Sequence, residues 1–163
     1  MIVVVSDTSP IRALSNIDQL SILGELYGQV IVPPAVDREL RNPPRGQATI
    51  DLTALSFVCI MAVADLSMIK ERSEELDPGE SEALALALEI QADLVLIDEN
   101  AGRSVARRLG LATIGVLGIL LEAKHRGLVD AIASMLDRLK DDYGFFLASR
   151  LRTEVLRQAG EVP

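Results

Sequence analysis

Short aliphatic runs alternate along this chain with longer stretches in which apolar residues recur at helical spacing. The run IVVV at 2–5 predicts a first strand over residues 2–6. Beyond TSP, Ile11, Leu14 and Ile17 fall at threes, the inward stripe of an amphipathic helix. Pro10 suits a first helical turn, where its missing N–H is harmless. Asp18 reads as the cap of a second short helix with Ile22, Leu23 and Leu26 facing inward, stopped by Gly28. VIV at 30–32 predicts a second strand. Pro33 and Pro34 then open a helix carrying Val36 and Leu40, and the breaker-rich RNPPRG at 41–46 ends it. Residues 47–76 are the least regular part: the expectation is a helix at 47–55, a strand near 57–61 and a short helix around 66–73, with Met61 and Met68 as filling. After DPG the pattern sharpens into a helix at 79–90 and a strand LVLI at 94–97. A helix with Ala101, Val105 and Leu109 on its inner edge follows, then a strand LATI at 111–114 and a helix at 116–125. Two more helices are expected at 130–140 and 146–158.

This β–α–β alternation implies a three-layer α/β fold, a central, mostly parallel sheet flanked by helices through right-handed crossovers. Runs of valine, isoleucine and leucine suit strands covered on both faces. At 163 residues the expectation is a single domain over 1–163, with helices at 130–158 packing on it or on a partner. An apolar content of 49 % argues against disorder despite a net charge of -8. The most apolar stretch, 111–123, falls short of a membrane span. In MIVVVSD, Asp7 and Pro10 leave no room for a signal-peptide core. Cys59 is the lone cysteine and reads as a small hydrophobe, which excludes a disulfide framework. The expected setting is cytoplasmic, with no membrane partner.

The acidic balance counts against indiscriminate duplex binding, which depends on neutralising phosphates with Lys and Arg. Arg103, Arg107 and Arg108 form one local basic cluster; Arg138, Lys140, Arg150, Arg152 and Arg157 lie towards the C-terminus. That distribution suits a binding groove or a protein partner equally.

Four acids sit where the chain turns. Asp7 comes directly off the first strand and Asp98 directly off LVLI, the ligand side of an open α/β sheet. From Glu80, the offsets +3, +4, +7 and +8 are Ala83, Leu84, Ala87 and Leu88, so Glu80 shares the apolar face of its helix. Glu82 lies about 200° round the wheel and is the lesser alternative. Glu99, next to Asp98, is another alternative acid. Glu39, near the end of a short helix, reads equally well as a solvated carboxylate. Helix capping is the competing role for Asp7, Asp98 and Glu80. Thr8 or Ser9 would hydrogen-bond the Asp7 carboxylate, orient a ligand phosphate or cap the next helix. Carboxylates gathered at one edge are costly to keep ionised without a cation. With no Cys/His cluster, the natural candidate is magnesium or manganese, Mg²⁺ or Mn²⁺. The pattern points to a metal-dependent hydrolase of phosphate esters. His125 lacks zinc spacing and reads as a solvent or C-capping residue. An aspartyl-phosphate mechanism is disfavoured, since Ser9 stands where that pattern needs a second acid.

The stretches VVVSDTSPIRALSNI (3–17), VIVPPAVDREL (30–40), LDPGESEALALALEIQADLVLIDENAGRSVARRLGL (76–111) and TIGVLGILLEAKHRGLV (113–129) together resemble the PIN domain, in the small prokaryotic branch related to toxin–antitoxin ribonucleases. The resemblance implies a PIN-like fold and divalent-metal-dependent RNA hydrolysis, an endoribonuclease or toxin component held by an antitoxin protein. Asp7 and Asp98 would be the main ligands, with Glu39 and Glu80 binding directly or through water. Attack by water would leave a 5′-phosphate and a 3′-hydroxyl. A fifth acid frequent in the family is absent, Ala101 and Gly102 standing there, so a catalytically weak or inactive RNA- or protein-binding module is the alternative. The resemblance also implies a homodimer, for which Phe145, Phe146, Leu151, Val155 and Leu156 are candidates, either joining a two-fold partner or closing their own core.

Overall fold

Each aliphatic run becomes a short strand in the computed structural model, which describes residues 1–70 and 74–162, Met68 by its backbone alone. The strands are β1 (Val4–Ser6), β2 (Val30–Val32), β3 (Val58–Ile60), β4 (Leu94–Leu96) and β5 (Thr113–Ile114). They form one parallel sheet in the order β3-β2-β1-β4-β5. The chain builds outward from β1 in one direction, then returns to the other side of β1 for β4 and β5. The reversal lies between β1 and β4, the topological switch point where ligands of open α/β sheets bind. Register pairs Ser6 with Leu96 there, which puts the residues following both strands side by side.

The connecting helices are α1 (Thr8–Asn16), α2 (Ile22–Tyr27), α3 (Pro34–Arg41), α4 (Ser67–Lys70), α5 (Pro78–Glu89), α6 (Asn100–Arg108), α7 (Val116–His125), α8 (Ala133–Asp141) and α9 (Ser149–Gln158). Strand side chains alternate between two cores, as the pleat requires. Val4, Val30, Val32 and Leu96 face one formed with α1, α2, α7, α8 and α9. Val5, Ile31, Val95 and Ile97 face the other, formed with α4, α5 and α6. Helix α5 is buried almost all round because α3, α4, α6, β1 and β4 surround it. A near-continuous Ala/Leu composition suits that position. Among the described residues no helix is long and apolar enough to cross a membrane.

Several expectations change. Residues 47–55 form no α-helix, only a 3-10 turn at Leu52–Ala54. Asp51 accepts from the backbone N–H and the hydroxyl of Thr53, a local bond that competes with helix. Asp18 does not cap α2: it takes φ 57, a left-handed turn, and Ser21 occupies the cap position. The inner edge of α6 is Gly102, Val105 and Ala106, while Ala101 is exposed. Met61 is exposed rather than filling. The last two helices start three residues later than expected, at Ala133 and Ser149. The reading of Met68 as filling, and the helix expected through 71–73, lie outside the described residues. Of the five residues proposed to close a core or join a partner, Val155 and Leu156 are buried and Phe145 packs against the core, whereas Phe146 and Leu151 are exposed.

Candidate functional site

Asp7 opens the site. Its backbone N–H donates to the Leu96 carbonyl at 2.9 Å, prolonging the β1–β4 pairing and holding the residue at the switch point. The side chain occupies the cap position of α1 without making a capping bond. It is 1 % exposed, and Oδ1 is buried with no hydrogen-bond partner among the described residues. Burial pushes this carboxyl up to about 8, opposed by a backbone hydrogen bond at Thr8 and reinforced by the charges of Asp77, Glu80 and Glu39.

Glu39 reaches the same edge from α3, and its carboxylate ties three helices together. Thr8 Oγ1 donates to Oε2 at 2.5 Å and the Gly79 N–H donates to Oε1 at 3.0 Å. Arg12 Nη2 adds a bond to the Glu39 carbonyl at 3.4 Å. The Thr8 hydroxyl, expected to serve Asp7, a phosphate or a cap, is therefore engaged by Glu39. Ser9 is half-buried on the same turn.

Glu80 lies at the start of α5 in a capping box. Asp77 Oδ1 accepts from the Glu80 N–H at 2.8 Å, while Glu80 Oε1 accepts from the Asp77 N–H at 3.1 Å. The other oxygen, Oε2, is buried without a partner. Capping and the inward orientation thus coexist in one side chain. Burial raises this carboxyl, with the charge of Asp77 adding to the shift.

Asp98 stands two residues beyond β4. Its Oδ1 accepts from the Val116 N–H at 2.9 Å, so it caps α7 and not α6. Oδ2 is buried without a partner. Burial raises its pKa, while the Val116 bond and the Arg103 guanidinium pull it down. Asp98 interacts with Arg103 and Glu99, and Asp7 with Asp77, Glu80 and Glu39; Glu99 also acts on Glu80 and so links the two sets.

The two alternative acids do other work. Glu82 accepts from the Ala35 N–H in the first turn of α3 and pairs with Arg38 at 3.4 Å. Glu99 is exposed at the cap position of α6. His125 Nε2 lies 2.9 Å from the Gln158 carbonyl at the end of α9, a C-terminal capping contact between helices. The residues missed in the sequence are Asp77 and the partnership of Arg103 with Asp98. The first had a signal, because D-P-G-E places a cap residue, a proline at N1 and a glutamate at N3. The second depends on how α6 folds back over the strand end.

Beside this edge, a cavity of about 800 Å³ runs from Asp98, Asn100 and Arg103 to Phe146 and Leu151. Phe146 is 88 % exposed. Among the described residues, no group of three or more His, Cys, Asp or Glu side chains is placed to hold a metal ion. The three orphaned carboxylate oxygens have the donor chemistry of a hard divalent cation, but the acids among the described residues are not grouped as a metal site.

A family described as a PIN domain, DUF3368, matches residues 3–161. The chain belongs to that family. A search of curated proteins finds no match. The PIN-domain match spans the whole sheet and the acidic edge, and its three-layer α/β architecture is the one described above. It places the chain in the nuclease superfamily, and the activity of this PIN domain rests on the site itself.

Proposed function

We propose that this PIN domain, taken over 1–163 as one cytoplasmic unit, is a catalytically weak or inactive RNA-binding module. The observation that carries this reading is that no three acids among the described residues are grouped to hold a cation. Glu39 has both oxygens engaged by the protein, Glu80 has one, and Gly102 brings no acid to the first turns of α6. Support for RNA comes from the cavity beside Asp98. Arg103 and Asn100 offer polar contacts to a phosphate there, and the exposed ring of Phe146 offers a face for a base.

A second reading, a Mg²⁺- or Mn²⁺-dependent endoribonuclease acting as the toxin of a toxin–antitoxin pair, is favoured by a specific observation. Asp7 Oδ1, Glu80 Oε2 and Asp98 Oδ2 are buried with no partner, and a carboxylate in that state is stabilised by a cation. A divalent ion held by these residues would polarise a phosphodiester and lower the pKa of a water. Asp7, pushed up to about 8 by burial, would have to give up its proton before it could bind the ion. A homodimer through Phe146 and Leu151, which would bury the ring offered to a base, is proposed with this second reading; a constant mass near 17.6 kDa in light scattering would reject it.

The deciding experiment incubates the protein and Asp7→Asn with single-stranded and structured RNA, in Mn²⁺ and in EDTA. Fluorescence anisotropy reads binding and gels read cleavage. The module reading expects binding that survives EDTA with little or no cleavage. Robust cleavage, abolished by EDTA and by Asp7→Asn, would replace it with the nuclease. Absence of both binding and cleavage would reject both.

A further inference from the structure

The protein has 11 glycines, and they divide by physical reason. Six take φ between 66° and 90°, a conformation that disfavours side chains, and nothing stands within 4 Å of where a Cβ would project. The other five have no such φ, yet the place of the Cβ is already filled. Gly24 and Gly118 lie against the apolar side chains of Phe57 and Ile114. The remaining three each lie against one of the edge acids. A Cβ on Gly79 would stand 2.7 Å and 2.8 Å from the two carboxylate oxygens of Glu39. On Gly102 it would meet Ile97 Cδ1 first and then stand 2.7 Å from Glu80 Oε2, and on Gly115 it would stand 2.5 Å from Asp98 Oδ1. Carbon does not approach that closely without something moving, so a side chain at these positions would displace the carboxylate that now fills the space.

We infer that Gly79, Gly102 and Gly115 are positioning residues for the acidic edge, each lacking a side chain so that one carboxylate can lie against the neighbouring main chain. The inference rests on the reading of these acids as the functional edge. A second observation points the same way at one of the contacts: the oxygen of Glu80 that lies against Gly102, Oε2, is buried without a partner among the described residues. At Gly102 the arrangement has a further consequence. The longer side chain of Glu80 carries its carboxylate from α5 across to the first turns of α6, where Ala101 and Gly102 supply no acid of their own. At Gly115 the open space lets Asp98 sit over the start of α7 and accept from Val116. At Gly79 it lets Glu39 accept from the glycine's own N–H. Gly79 and Gly102 both lie in the first turn of their helices, where the ordinary preference for alanine over glycine is weaker than in a helix interior.

Double-mutant cycles in urea test this on the full chain without metal or RNA. The pairs are Gly79→Ala with Glu39→Ala, Gly115→Ala with Asp98→Ala, and Gly102→Ala with Glu80→Asp. The last pair is made in an Ile97→Val background, because Ile97 Cδ1 also lies 2.4 Å from the position of that Cβ. With the acid intact, each alanine should lower the urea midpoint by about 1 M. With the acid shortened or removed, most of that loss should disappear, and at Gly79 and Gly102 the alanine should become neutral or stabilising. If a single glycine variant does not fold, recovery of folding in its double variant reads the same coupling, and an unfolded double variant overturns it. Equal losses with and without the acid would likewise overturn the inference. Because no RNA, metal or turnover enters these cycles, failure of RNA binding leaves them readable. Uncoupled cycles would equally leave the RNA result standing.

Discussion

On α8 and α9, charged side chains meet partners of opposite sign in contact with water: Arg152 pairs with Asp137 at 3.0 Å, and Arg157 pairs with Glu154. At the end of β1 and β4, three carboxylates are drawn out of water and each keeps an oxygen that nothing satisfies. The first arrangement costs little and contributes little, since exposed pairs exchange hydration for a screened attraction. The second opposes folding unless protons or a cation compensate. A fold that tolerates such a cost at the switch-point edge of its sheet, and shows it at no other described side chain, marks where its chemistry is to be sought.

The comparison can be broken at either end. The largest effect is expected from Asp7→Asn. Folded Asp7 titrates at about 8 against an ordinary 3.8, so between those values the folded protein holds a proton that the unfolded chain has released. Stability is therefore lost as pH rises from about 4 to 8, at about 1.4 kcal/mol per pH unit at most. Urea unfolding at pH 8 should find the metal-free variant more stable than the wild type by several kcal/mol. The gap should close as pH falls towards 4. A metal-free wild type that does not lose stability relative to the variant across this range would mean that the fold itself stabilises the Asp7 carboxylate.

Next comes the apolar side of the C-terminal layer. Leu156, 2 % exposed and part of the core built on β1 and α1, should cost about 3 kcal/mol as Leu156→Ala. A loss below about 1 kcal/mol would mean that α9 is only loosely attached. The smallest effect belongs to the surface pair. Arg152→Ala should change stability by less than about 1 kcal/mol, and less still in high salt. A larger loss would show that surface charge carries more of this fold than the contrast allows.

Much of the architecture was legible because the strands are aliphatic runs too short and too β-branched for anything else. VIV at 30–32 and IVVV at 2–5 declare buried parallel strands, and their succession gives the sheet and the edge that carries Asp7 and Asp98. The orientation of Glu80 was legible from its helical offsets. What the sequence did not reveal depends on contacts remote in the chain. Glu39 is held by Thr8, 31 residues away, and by Gly79, 40 residues away. Asp98 caps a helix 18 residues on rather than the one that follows it. Residues 47–55 misled because Ile50 and Leu52 supply apolar spacing, while the prolines before them and the Asp51–Thr53 bonds favour a turn.

The most direct test of the contrast is the titration of Asp7 itself, followed by carboxyl ¹³C NMR in metal-free protein with Asp7→Asn to assign the signal. A buried carboxyl surrounded by Asp77, Glu80 and Glu39, with no cation beside it, should titrate with a midpoint of about 8. A midpoint near the ordinary 3.8 would contradict the account, because it would show a carboxylate already stabilised within the fold.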